Sequence, residues 1–339
     1  MADARLEQTA RELVAKGKGI LAADESDGTI KKRFAKIGVE NTEDNRRAYR
    51  DMLFTTPGAE EFISGVILFD ETIRQKSLDG TPFPELLAKR GVIPGIKVDT
   101  GAKELAKSPE ETVTEGLDGL RGRFEAYVKL GARFAKWRGV YTIKGNELPT
   151  RYAVDVNAHA LARYATLAQE CGLVPIVEPE VLMDGDHTIE RAYQVTTDVL
   201  QSVFAELYDQ RVRFEEMLLK PNMVLSGYSS KSQAGVKEVA EATVACLKAT
   251  VPSAVPGIVF LSGGQTDELA TAHLNAMNQL GDLPWELSFS YGRALQAPSL
   301  QAWGGKTANV DAGKAAYLKR ARLNGAARFG KYTDHMEAA

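Results

Sequence analysis

Cysteine is scarce in this chain: two residues, Cys171 and Cys246, among 339, far apart and each in a helix-like segment. That number makes neither a disulfide framework nor a zinc site, and a reducing cytoplasm is the compartment it suggests. Long apolar runs are lacking too, since none approaches the roughly 20 residues that a bilayer-spanning helix needs. The N-terminal stretch MADARLEQTARELVAKGKGI carries acidic residues and no extended apolar core, so it reads as neither a secretory signal nor a typical transit peptide. No excess of one charge exists either. The net charge is −3 and there is no basic tract, which argues against a nucleic-acid binder and makes any phosphate recognition local. The four histidines, His159, His187, His273 and His335, show no metal-ligating spacing, so no metal ligands are assigned.

A Pro/Ser-rich linker or composition shift is also missing, although 339 residues would allow two domains. What is present is a repeated alternation. Eight short apolar runs occur at Gly19–Asp24, Ile63–Asp70, Val92–Asp99, Phe134–Tyr141, Val174–Glu180, Met217–Val224, Gly257–Gly264 and Trp285–Gly292. Helical periodicity fills most gaps between them, at Asn157–Cys171, His187–Arg211, Gly235–Lys248 and Asp267–Leu280. Thr81–Lys89 supports only a short helix. Eight strands alternating with helices predict an α/β fold, a (β/α)8 TIM barrel over residues 18–328. An amphipathic helix within 1–17, with Leu6, Ala10, Leu13 and Val14 on one face, precedes it, and a tail over 329–339 follows.

The chemistry lies where each apolar run turns polar, almost always at its C-terminal end: Asp24, Asp70, Lys97 and Asp99, Lys136 and Arg138, Glu178 and Glu180, Lys220, Ser262, Ser290. In such a barrel the C-terminal strand ends form the active-site rim. Strand side chains alternate, so Lys136 and Arg138 share one face, as do Glu178 and Glu180. Lys220, in MLLKPN, follows a wholly apolar approach. Desolvation and a nearby cation such as Lys136 favour the neutral amine that attacks carbonyl carbon, although a lysine at a strand end also snorkels to water. Glu178 and Glu180 flank a proline in VEPE and are general acid–base candidates if burial raises them toward neutrality. Asp24 is a further acid–base candidate or an N-cap.

Two local anion sites are expected. Ser262, Gly263 and Gly264 in LSGGQ, with Ser290, Gly292 and Arg293 in SYGR, end the last two runs, where backbone N–H groups and a guanidinium hold phosphate in barrels of this kind. Ser26, Thr29, Lys32 and Arg33, after the first run, form the second, with Lys97 nearby. Two anion sites flanking one lysine suit a bisphosphate.

The segments ILAADES, KVD, AKWR, VPIVEPE, LLKPN, FLSGGQ and FSYGRALQ, in order across Gly19 to Arg328, resemble those of class I fructose-bisphosphate aldolases. The resemblance implies reversible cleavage of fructose 1,6-bisphosphate to dihydroxyacetone phosphate and glyceraldehyde 3-phosphate, in glycolysis and gluconeogenesis, with no metal cofactor. It implies a Schiff base on Lys220, proton transfer by Glu178 beside Glu180, and Asp24 as base toward the hydroxyl whose carbon becomes the aldehyde. Lys136 and Arg138 match the family's AKWR. The dihydroxyacetone-side phosphate falls to Ser262, Gly263, Gly264, Ser290, Gly292, Arg293 and Arg33, the far phosphate to Ser26, Thr29 and Lys97. Sugar phosphates are then the partners, without nucleic acid or membrane, in a cytoplasmic homotetramer. Thr29 stands where many members carry serine. Many members also end in a longer tail with a terminal tyrosine that reaches the site, whereas here the nearest tyrosine is Tyr332. A Schiff-base aldolase for a monophosphate, or a barrel kept as a binding scaffold, are the competing readings.

Overall fold

The computed structural model describes residues 4–338; residues 1–3 of the expected N-terminal helix and Ala339 of the expected tail lie outside them. Each of the eight apolar runs contributes a strand, and all eight close into a parallel barrel. Its strands are β1 (Gly19–Ala23), β2 (Ile63–Leu68) and β3 (Ile93–Lys97), then, after a hairpin of β4 (Gly101–Leu105) and β5 (Ser108–Glu115), β6 (Phe134–Tyr141) and β7 (Val174–Val181). β8 (Leu218–Leu219), β9 (Gly257–Phe260) and β10 (Glu286–Tyr291) complete it, with β10 pairing back to β1. The architecture is the (β/α)8 barrel that the alternation predicts.

The helices fall close to the predicted segments, at Arg151–Glu170, Ile189–Asp209, Val236–Thr250 and Asp267–Gln279. Threonine hydroxyls start three of them. Thr150, Thr188 and Thr266 accept from Ala153, Arg191 and Leu269 N–H respectively, which satisfies one of the donors a helix leaves open. The doubtful stretch forms a short helix, Phe83–Lys89, with proline at its start. The antiparallel β4–β5 hairpin was not expected. Its side chains are mostly polar and half or wholly exposed, so it has no apolar rhythm to announce it.

Within 1–17 the helix itself is Ala4–Leu13. Leu6, Ala10, Leu13 and Val14 are buried against the inward-facing Ile20, Ile67, Ile93, Val174, Ile176, Leu218 and Val259, so this segment closes the base of the barrel. Full burial of each larger side chain contributes about 1.5–3 kcal/mol. The close approach requires missing side chains opposite: a Cβ on Gly65 would lie 2.7 Å from Leu13, and one on Gly257 2.6 Å from Val14. With the base filled, polar groups are left to the other end, where the strands finish.

Candidate active site

β8 stops after two residues because the segment that follows, Lys220-Pro221, has no N–H at its second position for a ladder. Lys220 N–H still bonds the Val177 carbonyl of β7 at 2.8 Å, which fixes the lysine at the rim. On β6 and β7 the register sets Arg138 beside Glu178 and Val140 beside Glu180. Lys97 is level with Lys136 across β3 and β6. Strand alternation therefore places the charged members of four strands on one inner surface.

Their side chains meet at the floor of a cavity of about 1330 Å³. One Glu178 oxygen lies 3.3 Å from Lys220 Nζ and the other 3.2 Å from Lys136 Nζ. Lys136 Nζ also lies 2.8 Å from Asp24 Oδ2. Arg138 Nε sits 3.0 Å from Glu180 Oε2, and Lys97 Nζ 2.7 Å from Asp99 Oδ1. Lys136, Glu178 and Lys220 are each only 4% exposed, so these charges interact with little water between them.

Burial and neighbours pull the titrations in different directions. Burial alone would raise the Asp24 carboxyl, but Lys136, Lys220 and Lys97 outweigh it and hold it well below the ordinary carboxylate range. Burial would likewise discharge Lys136, but Asp24, Glu178 and Asp99 reverse that and keep its ammonium form. Lys136 is thus a fixed cation on the same carboxylate as Lys220. Glu180 differs: burial pushes its carboxyl up, with the Arg138 guanidinium offsetting only part of that. This is the direction expected of a buried carboxyl in VEPE.

Of the expected phosphate ligands, Ser26, Thr29, Lys32, Arg33, Lys97, Arg138, Ser262, Gly263, Ser290, Gly292 and Arg293 all line the same cavity. Ser290 Oγ is buried and has no hydrogen-bond partner, an orphan hydroxyl among groups that suit an anion. Arg293 bonds the Gly263 carbonyl, tying the ends of β9 and β10 together. A Cβ on Gly292 would lie 3.6 Å from Arg33 Nη2, so Arg33 reaches this group of residues although it follows β1. The Ser26 and Thr29 hydroxyls are 3.2 Å apart at the start of the helix Asp27–Ala35. Gly264 is the exception. It does not line the cavity, and its N–H donates to Tyr228 Oη at 2.9 Å.

Sequence reasoning missed Glu25 and Arg50. Glu25 pairs with Arg33, and its second oxygen lies 3.3 Å from Nη2 of the buried Arg50 on the helix Glu43–Phe54. An acid directly after Asp24 was visible; its partner 25 residues later was not. Tyr332 does not line the cavity; its hydroxyl bonds Glu337, which also pairs with the buried Arg320. Among the described residues no group of three or more histidine, cysteine, aspartate or glutamate side chains could hold a metal, and no helix is long and apolar enough to cross a membrane.

Comparison with known proteins agrees with this geometry. The family profile for fructose-bisphosphate aldolase class-I matches residues 5–339. A protein of Xanthomonas campestris pv. campestris named probable fructose-bisphosphate aldolase class 1 is 59% identical over 329 residues, covering 97% of this chain and 98% of that protein. Fructose-bisphosphate aldolase 5, cytosolic, of Arabidopsis thaliana is 56% identical over 327 residues, 96% of this chain and 91% of that one. The fold superposes with a TM-score of 0.96 on fructose-bisphosphate aldolase from Plasmodium falciparum, solved with TRAP and a small-molecule inhibitor. That structure is 51% identical and covers 97% of this chain and 95% of the other.

Proposed function

The chain belongs to the class I fructose-bisphosphate aldolases, and from that premise we propose that Lys220 is the nucleophile through which it cleaves its substrate. The family's reaction is the reversible cleavage of fructose 1,6-bisphosphate to dihydroxyacetone phosphate and glyceraldehyde 3-phosphate, a glycolytic step that needs no metal. The observation that carries the assignment is Glu178, with one oxygen on Lys220 and the other on a permanently charged Lys136. Lys136 shares that carboxylate but is also held by Asp24 at 2.8 Å, which keeps it charged, so Lys220 is the member of the pair assigned the attack.

Glu178 takes a proton from Lys220, and the freed amine attacks the ketone carbon. A second amine proton moves to the new alkoxide, and Glu178 then returns its proton to that hydroxyl, which leaves as water and gives the iminium. Asp24 takes the proton of the hydroxyl two carbons away as the carbon–carbon bond breaks and its electrons flow into the iminium. A weak base suffices there, because that proton becomes acidic only as the bond breaks. Lys136 holds Asp24 ionised until that step. Ser262, Gly263, Ser290, Gly292, Arg293 and Arg33 hold the ketone-side phosphate, and Ser26, Thr29, Lys32 and Lys97 the far one. Arg138 and Glu180 form the wall between. The proposal includes a cytoplasmic homotetramer with residues 18–328 as one barrel domain. The resemblance supports the assembly, and the cytosolic label of the Arabidopsis relative supports the compartment.

Borohydride reduction with dihydroxyacetone phosphate, followed by peptide mapping, tests this. A label on Lys220 and activity that persists in chelator are expected. A label on Lys136, or activity lost in EDTA, would overturn it.

A further inference from the structure

The turn that ends β9 is held from behind on both sides of one glycine. Gly263 has a left-handed φ of +59° and lines the cavity, while its two neighbours are tied to side chains away from the mouth. On one flank, Gly264 N–H donates to Tyr228 Oη at 2.9 Å, and the same hydroxyl lies 3.1 Å from Met183 Sδ. On the other, the Gln265 amide nitrogen donates to the Ser262 carbonyl at 3.2 Å and faces Met223 Sδ. This orientation leaves Gln265 Oε1 for His273, whose Nδ1 is 2.6 Å away. His273 is 1% exposed, and its other nitrogen has no partner. Burial lowers its pKa to about 4, so at neutral pH the ring is uncharged and Nδ1 carries the hydrogen that Gln265 accepts.

Neither tyrosine, glutamine nor histidine lines the cavity, and none has a part in the chemistry described above. The turn they hold is short and contains two glycines, the residues with most backbone freedom to lose. Substitution for packing cannot stabilise it: a Cβ on Gly263 would lie 2.5 Å from Met183 Sδ, and one on Gly264 2.8 Å from the Tyr228 ring. Hydrogen bonds to the flanking peptides, together with the Arg293 bond to the Gly263 carbonyl, therefore set the direction of the Gly263 peptide.

We propose that Tyr228 and the His273–Gln265 pair are positioning residues for phosphate recognition, fixing the Ser262–Gly264 turn so that it meets the ketone-side phosphate already shaped. This rests on the assignment of that phosphate to Ser262 and Gly263. Preorganisation of this kind lowers the ordering cost at binding and leaves the bond-making step alone.

The test uses full-length Tyr228→Phe and His273→Leu enzymes. Tyr228 is half exposed and keeps its ring, so the first variant is the safe one for folding; far-UV circular dichroism and a melting curve accompany both. The readouts are KM and kcat for the bisphosphate, and the concentration that half-saturates borohydride trapping on Lys220 with dihydroxyacetone phosphate and with phosphate-free dihydroxyacetone. Expected for Tyr228→Phe is a rise of about five-fold or more in KM and in the dihydroxyacetone phosphate midpoint, with kcat within about two-fold and the dihydroxyacetone midpoint unchanged. His273→Leu, where folded, shows the same split. Equal shifts with both ketones, an unchanged KM, or a fall confined to kcat in Tyr228→Phe would overturn the proposal. If wild-type enzyme were not labelled on Lys220, the assignment of function would fail instead, which separates the two.

Discussion

Lys136 Nζ stands 2.8 Å from Asp24 Oδ2, and this one contact joins β6 to the end of β1 across the cavity floor. It decides the charge state of both partners against the burial that opposes it. Replacing Lys136 by methionine leaves Asp24 with burial as the largest influence on its titration. The acid limb of kcat/KM should then move to higher pH, and kcat should fall by about 10²–10⁴-fold. The Asp24 carboxyl of the wild type is depressed below its ordinary 3.8, so its contribution to stability is present above that value and is lost as pH falls below it. Breaking the buried pair from one side costs about 3–5 kcal/mol. A pH–rate profile and urea melts check both; an unmoved acid limb would mean that Asp24 is not the titrating group.

Arg293 is, with Arg33, a charged member of the expected ketone-side phosphate site. Its methionine variant removes charge-assisted hydrogen bonds worth about 1.5–3 kcal/mol each. KM for the bisphosphate should rise by roughly 10–100-fold. Steady-state kinetics across ionic strengths measure the change, and a KM within a factor of two of wild type would remove Arg293 from the site.

Glu180 is raised by burial, so its ionised form destabilises the folded chain at neutral pH despite Arg138. A raised carboxyl contributes stability that is full below its ordinary 4.5 and lost as pH climbs through the folded value. Glu180→Gln should therefore melt at or above wild type at pH 7–8, with the difference shrinking toward pH 4. Scanning calorimetry at several pH values gives the comparison. A variant less stable at pH 8 than at pH 5, relative to wild type, would contradict the sign.

The base of the barrel depends on Leu13 and Val14 meeting Gly65 and Gly257. Leu13→Ala should cost about 2–5 kcal/mol through lost burial and a residual cavity. Gly257→Val forces a side chain into Val14 and should destabilise by about 1–3 kcal/mol. Denaturant midpoints report both. Borohydride labelling of whatever remains folded should be unaffected, because neither position touches the mouth.

Most of the barrel was legible because its strands are apolar and end in charge. The eight runs are mostly buried on both faces, so composition alone marks them, and the polar residues at their ends mark the rim. Lys220, Glu178, Lys136 and Asp24 could be grouped by that rule without knowing any distance. What escaped is what has no local signature. The β4–β5 hairpin is polar and held by pairing between its own strands. Arg50 reaches Glu25 only because the helix Glu43–Phe54 folds back over the rim. The hydrogen bond that turns Gly264 to Tyr228 joins two loops 36 residues apart. The sign of a pKa shift is likewise set by three-dimensional neighbours, which is why the rise at Glu180 could not be read from VEPE.

The N-terminal helix at the barrel's foot has a consequence for traffic. With the lower end sealed, substrate, water and both products share a single doorway. The aldehyde half has no exit past the tethered ketone half except the way it came in. Under the proposed mechanism it must therefore depart before the water that releases Lys220 can finish the cycle, and a molecule lodged in that doorway stops arrival and departure alike.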